Sequence, residues 1–275
     1  MSAEASGHPK MHFGIEGRSA LIVGGSKGIG FEVAKMLATE GVRVAVLART
    51  KADVDDAVEA IRAEGGSALG VPADAGSPQQ MADAVRTVTS EHGAPLIVIG
   101  QAKYQRPGDF ADITDINVYR ESFDAHTMSQ ILLLQAVLPA MRTAGWGRFV
   151  HIGSATAKEP AGNIHHAVAN TSRPSTIGLL KTVSDEYAQY GITVNTVAPG
   201  WIETQNAIDY LQNHLGTSSE TERREFMLTQ ARVPAARMGK PHEIASLITY
   251  LCSESAGYLT GSWIEVDGGL HRSAF

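Results

Sequence analysis

From residue 20 onward the chain alternates short apolar runs with longer stretches whose apolar positions recur every three or four residues. The short runs are SALIVGG (19–25), VRVAVLA (42–48), SALGVP (67–72), PLIVIG (95–100), RFVHIG (148–153), ITVNTVA (192–198) and SWIEV (262–266). Each reads as a strand buried on both faces, because near-continuous Val, Ile and Leu leave no polar face for solvent. Between two of them Val54, Ala57, Val58 and Ile61 follow the i, i+3, i+4, i+7 spacing of a helix face, and Gly65 with Gly66 closes that helix. Strands alternating with helices predict an α/β domain of the doubly wound Rossmann type, a seven-stranded parallel sheet with helices on both faces, over residues 15–275. Residues 1–14 read as a loose polar tail without the apolar stretch of a secretory signal. The longest departure from alternation, 202–238, predicts one or two helices inserted before Pro241 as a lid over a site. Ligands on such sheets bind beyond the carboxyl ends of the strands, so the loops after strands are where chemistry is expected.

Composition narrows the function. The 275 residues are 43% apolar, enough for a full core, and 29 acidic against 23 basic residues give a net charge of -6 with no long run of one sign. Nothing there draws the chain to nucleic acid or anionic lipid. The single Cys252 excludes an internal disulfide and a cysteine-rich metal site, which fits a reducing cytoplasm. The longest apolar run, ILLLQAVLPAM, is broken by Gln135 and Pro139 and is too short to span a bilayer. The expectation is a soluble cytoplasmic protein with no metal and a small-molecule ligand.

After the first strand comes GGSKGIG, in which Gly24, Gly28 and Gly30 are followed by a helical pattern. Glycines let the backbone turn tightly and approach a pyrophosphate, whose charge is met by N–H groups at the helix start. Gly24, Gly25, Ser26, Lys27, Gly28, Ile29 and Gly30 are therefore candidate cofactor-binding residues. The second strand ends in Ala48-Arg49-Thr50 with no carboxylate at that end. Arg49 offers a forked donor suited to a 2′-phosphate and Lys27 adds a second cation, so Arg49 and Thr50 favour NADP(H) over NAD.

At these residues the chain resembles the classical short-chain dehydrogenase/reductase family, from about Gly17 to Gly269. The loop is similar to that family's TGxxxGIG, with Val23 in the threonine position. Asp74, with Ala75 beside it in PADAGS, matches the acid that contacts adenine. Gly100 lies in the segment after strand four, where Ile99-Gly100-Gln101-Ala102 replaces the family's NNAG. Pro199, Gly200, Ile202 and Thr204 match the segment flanking the nicotinamide, and RMGKPHEIASLITYLCSESAGYLTGSWIEVDGG closely resembles the family's closing block.

The resemblance implies a serine that orients a carbonyl, a tyrosine that moves the proton, a lysine four residues on that tunes the tyrosine, and a helix asparagine that keeps a proton relay. Ser154, in HIGSA, matches the serine. Counting back from ITVNTVAPG puts Ala169 in the tyrosine position and Arg173 in the lysine position, and counting from QAVLPAM puts His126 at the asparagine. Alanine has no proton to give and arginine, with a pKa above about 12, cannot release one at working pH. Arg173 retains a positive charge for the ribose and nicotinamide. Losing general acid catalysis costs about 10²- to 10⁴-fold, which leaves room for residual turnover.

Pro174 predicts a helix that starts near Arg173, leaving 165–172 as a rebuilt loop. His165 and His166 in that loop, and His126, are candidate proton donors, because histidine titrates near neutral pH. Tyr104 is a further candidate, whereas His151 inside strand five reads as a hydrogen-bonded core residue. In the lid, Gln205 to Gln230, with Tyr210, His214 and Phe226, is expected to shape specificity. The readings that follow are an atypical NADP(H)-dependent oxidoreductase on a ketone or secondary alcohol, or a catalytically silent NADP(H)-binding subunit of an oligomer. The resemblance also implies assembly through helices 118–142 and 173–190, as a homotetramer or a mixed oligomer with an intact relative.

Overall fold

The computed structural model describes residues 13–101, 108–160, 166–216 and 219–273. Seven parallel strands form one sheet: β1 Ser19–Val23, β2 Arg43–Ala48, β3 Ala68–Pro72, β4 Ile97–Gln101, β5 Gly147–Ile152, β6 Ile192–Pro199 and β7 Trp263–Val266. Their order is β3-β2-β1-β4-β5-β6-β7, so the winding reverses between β1 and β4 and opens a crevice at the carboxyl ends of those strands. The near-continuous apolar strands are buried on both faces as their composition requires; every residue of β1 and β6 is buried.

Helices α1 Gly28–Thr39, α2 Lys51–Ala63, α3 Pro78–His92, α4 Ile116–Phe123, α5 Ser129–Ala144, α6 Ala167–Tyr187, α7 Gln205–Leu215, α8 Glu220–Thr229 and α9 Pro241–Leu251 complete the described fold. Val33, Leu37, Val54, Ile61, Ile244 and Ile248 pack on one face of the sheet against Ile22, Val44 and Val46. Met81, Val88, Leu133, Val137 and Leu180 pack on the other face against Leu21, Val98 and Phe149. Fully burying one such side chain is worth about 1.5–3 kcal/mol, so these two layers fix the strand ends that carry the site. The amino-terminal segment is tied in as well, since Phe13 packs on the first layer and its carbonyl accepts from the Glu254 N–H.

Two expectations are corrected. The first concerns Pro174, which lies inside α6: the helix begins at Ala167, and residues 167–172 form helical turns, not a loop. An interior proline costs about 3 kcal/mol, yet Pro174 is on the exposed side while Val168, Ala169, Ser172 and Thr176 are buried on the other. Hydroxyls hold those turns against α4 and the segment after it: Ser172 Oγ lies 2.8 Å from Ser122 Oγ, Thr127 Oγ1 2.6 Å from Ser175 Oγ, and Thr176 Oγ1 donates to the His126 carbonyl at 3.0 Å. Tertiary contact overrides the local signal. The second correction concerns Phe226, which does not face the cleft. It packs with Leu211, Met227, Val233 and Met238 in a small core of the inserted segment, 5.5 Å from the Trp201 ring.

Candidate active site

The glycine loop connects β1 to α1. Gly24 has φ 72, a left-handed backbone that side chains disfavour, and a Cβ at Gly30 would stand 2.4 Å from the Gly24 carbonyl oxygen. The loop is thus a close-packed cradle at the amino end of α1, whose N–H groups and dipole favour an anion. Gln101, at the end of β4, covers the loop: its buried Oε1 has no partner among the described residues and would lie 2.9 Å from a Cβ at Gly24. Thr204, which precedes α7, packs against the loop from the other side, its Cγ2 3.3 Å from a Cβ at Gly28.

Arg49 and Thr50 are exposed at the end of β2. Lys27 is paired at 2.8 Å with Asp53, a carboxylate that the first turn of α2 brings back to the loop. The expectation that no acid competes at this end holds for the strand residues but not for the helix after them. Asp74 is exposed after β3, and its Oδ1 accepts from the Gly76 N–H at 2.9 Å, which shapes its own turn beside Ala75.

A cleft of about 360 Å³, a size suited to a small ligand, runs from this cradle across the ends of β5 and β6. Lys27, Gly28, Ile29, Pro199, Gly200, Ile202 and Thr204 line its cofactor end. Ser154, Thr156, Arg173, His126, His151 and His166 line its centre, and Trp201, Tyr210, Trp263 and Leu270 form an apolar wall. Gly100 is buried beneath it in β4, where a Cβ would meet Gln130 Oε1 at 2.2 Å.

Ser154 follows β5 after Gly153 and opens a one-turn helix, Ala155–Ala157, in which both alanines are buried. Its Oγ is 3.1 Å from Thr156 Oγ1, which accepts from Arg173 Nη1 at 2.6 Å. Arg173 reaches the cleft from the second turn of α6, and His166, which immediately precedes the helix, reaches it as well. Ala169 lies between them and is wholly buried. The helical i, i+4 spacing of the positions matching tyrosine and lysine is therefore present, with no proton donor at the first.

Helices α4 and α5 form one rod interrupted by a single π turn, Asp124–Met128, a feature often found at functional sites. His126 sits in that turn. Its Nδ1 lies 2.9 Å from both the Ser122 carbonyl and Ser172 Oγ, donating to the carbonyl when it carries the ring proton and accepting from the hydroxyl when it does not. Burial first, and then the Arg173 charge, push His126 down to about 4. The same two causes hold His166 at about 4. His151 is pushed to about 3 by burial, then by His126 and Arg173. All three imidazoles are neutral at neutral pH, against the expectation of a histidine titrating there.

His151 is buried in β5 as expected, but it also lines the cleft, and its Nδ1, like that of His166, has no hydrogen-bond partner among the described residues. Its place next to the carboxyl end of a strand was the available signal. Thr156 and Gln101 carry no sequence signal of comparable strength. His165 and Tyr104 lie outside the described residues, as does the side chain of His214. Among the described residues no group of histidine, cysteine or carboxylate side chains is arranged to hold a metal, and no helix is long and apolar enough to cross a membrane.

Known proteins resemble this chain over nearly its whole length. The family model described as enoyl-(acyl carrier protein) reductase matches residues 23–271. The 3-oxoacyl-(acyl-carrier-protein) reductase of Vibrio cholerae is 30% identical over 257 residues, 94% of this chain and 98% of that protein. The L-sorbose reductase of Gluconobacter frateurii, solved with NADPH and L-sorbose, superposes with a TM-score of 0.89 at 26% identity, covering 96% of this chain and all of that one. A short-chain oxidoreductase of Pseudomonas aeruginosa, solved with NADPH and described as containing an atypical catalytic center, gives 0.88 at 25% identity over 95% of this chain and all of that one.

Proposed function

Because the chain belongs to the short-chain dehydrogenase/reductase family, we propose that it is an NADP(H)-dependent oxidoreductase interconverting a ketone and a secondary alcohol without a tyrosine acid. The supporting observation is that the glycine cradle, Ser154 and Arg173 open onto one cleft with an apolar wall. The residues present fit the cofactor. The close-packed loop from Gly24 to Gly30 suits a pyrophosphate, exposed Arg49 and Thr50 suit a 2′-phosphate, Asp74 and Ala75 suit adenine, and Pro199 to Thr204 flank the nicotinamide end. NADPH in two solved relatives supports the same choice. When bound, the nicotinamide supplies or accepts the hydride.

The chain's own residues then do the rest. Ser154 hydrogen-bonds the substrate oxygen, and the Arg173 guanidinium stabilises the negative charge that develops there. Tyr210 and Trp201, tilted together with ring centroids 6.0 Å apart, form the apolar wall against which the substrate packs. Neutral His126 and His166 orient ligands and do not carry the proton, which comes to the alkoxide from water or from an acidic group of the substrate.

The test is NADPH oxidation over a broad panel of ketones. Wild type should turn over at least one of them, and Ser154→Ala should lower kcat about 10²- to 10³-fold on that ketone. Binding of NADPH without oxidation of any ketone would overturn the reading. It would favour the second one, a silent cofactor-binding subunit. That reading draws on Ala169 and on an exposed apolar surface around α4, where Phe110 is 76% and Ile116 59% accessible, with Phe123 and Met128 beside them. Co-purification with an intact relative would support it.

A further inference from the structure

Thr156 stands between the two groups on which the proposed reaction rests. Arg173 Nη1 donates to its Oγ1 at 2.6 Å, and that oxygen lies 3.1 Å from Ser154 Oγ. A guanidinium has no acceptor and keeps its charge at every working pH, so the first bond has one direction only. A hydroxyl that accepts from a cation becomes a stronger donor through its own proton, because successive hydrogen bonds polarise one another. Thr156 can pass that proton to Ser154 Oγ. With an incoming bond from Thr156, Ser154 turns its own O–H towards the cleft.

The local backbone holds this order in place. Ser154 caps and Thr156 lies within the single turn Ala155–Ala157, whose alanines are buried at 2% and 7% exposure, and both hydroxyl residues line the cleft with Arg173. A carbonyl oxygen, or the alkoxide formed from it, needs a donor. The reverse order, with Ser154 donating into Thr156, would present only lone pairs to it.

We infer that Thr156 is a positioning residue that couples the Arg173 charge to Ser154 and sets Ser154 as a hydrogen-bond donor to the substrate oxygen. The position of the absent phenol is thereby offset by a chain of three side chains ending in a donor that does not give up its proton. The inference rests on the ketone and alcohol reading above.

Thr156→Val keeps the shape and removes the hydroxyl, and Thr156→Ser restores it. On the fastest ketone of the panel, Thr156→Val should lower kcat about 10- to 100-fold with KM changed less than about three-fold, a smaller loss than removing the donor itself. Thr156→Ser should recover kcat to within about three-fold of wild type. In a Ser154→Ala background the valine should change kcat by less than about two-fold, because residues that act in series are not additive. Thr156→Ala serves the same comparison if the valine variant does not fold. Wild-type kcat in both hydroxyl-free variants, or losses that multiply with that of Ser154→Ala, would overturn the role of Thr156 alone. Wild type that oxidises no NADPH on any ketone would overturn the underlying reading and this role with it.

Discussion

Lowering the pH from about 7 to about 4.5 loads protons onto the unfolded chain before the folded one, because the cleft holds His126 at about 4 against an ordinary 6.5. The folded form prefers the neutral imidazole, so its contribution to stability is fully present above 6.5 and is lost as the pH falls towards 4. A tenfold difference in proton affinity between the folded and unfolded chain is worth about 1.4 kcal/mol. His126 therefore contributes at most about 3 kcal/mol, of which on the order of 2 kcal/mol is gone by about pH 4.5. That is a large share of the roughly 5–15 kcal/mol typical of a whole domain. His151, held lower still at about 3, acts in the same direction. Urea unfolding at stepped pH should therefore show a shallower pH dependence in His126→Asn than in wild type, the two curves differing by about 2 kcal/mol over this window. Imidazole proton resonances followed through the same range should leave His126, His151 and His166 neutral until below about pH 5. Equal pH dependence in the two proteins, with His126 titrating between about 6 and 7, would refute the claim that these histidines are neutral at neutral pH.

Three further outcomes are expected. Gly30→Ala puts a methyl 2.4 Å from the Gly24 carbonyl oxygen, so NADPH affinity measured by calorimetry should fall at least about 10-fold as the loop opens. Arg49→Glu should weaken NADPH binding about 10- to 100-fold while leaving NADH binding no weaker, which competitive titration of the two nucleotides reads directly. Ala169→Tyr should not restore a proton donor: Ala169 is fully buried, and the added ring should lower unfolding stability by about 1–3 kcal/mol with no gain in kcat.

The seven strands were legible because a parallel sheet covered on both faces needs near-continuous apolar runs, and each run from 19–25 to 262–266 contains most or all of its strand. The glycine loop was legible because its chemistry is backbone chemistry, written in residue type and position. Pro174 misled because a proline is a local signal, whereas the turns around it are held by Ser122, Thr127 and His126 from far along the chain. The π turn at His126 has no composition of its own. Asp53 was missed beside Lys27 because it returns from the first turn of the next helix. His151 read as core because it lies in a buried strand, and only the sheet's carboxyl edge, where the cleft opens, separates it from the residues below. Thr156 acquires its role solely from the guanidinium that reaches it across 17 positions.

The most direct measurement uses NADPH carrying deuterium at its hydride-donating carbon, incubated with wild type and the ketone that turns over fastest. Mass spectrometry of the alcohol should find one deuterium on the former carbonyl carbon, lost in parallel with kcat in Ser154→Ala. An alcohol without the label, or label retained in the nucleotide with every ketone tried, would contradict hydride transfer in this cleft.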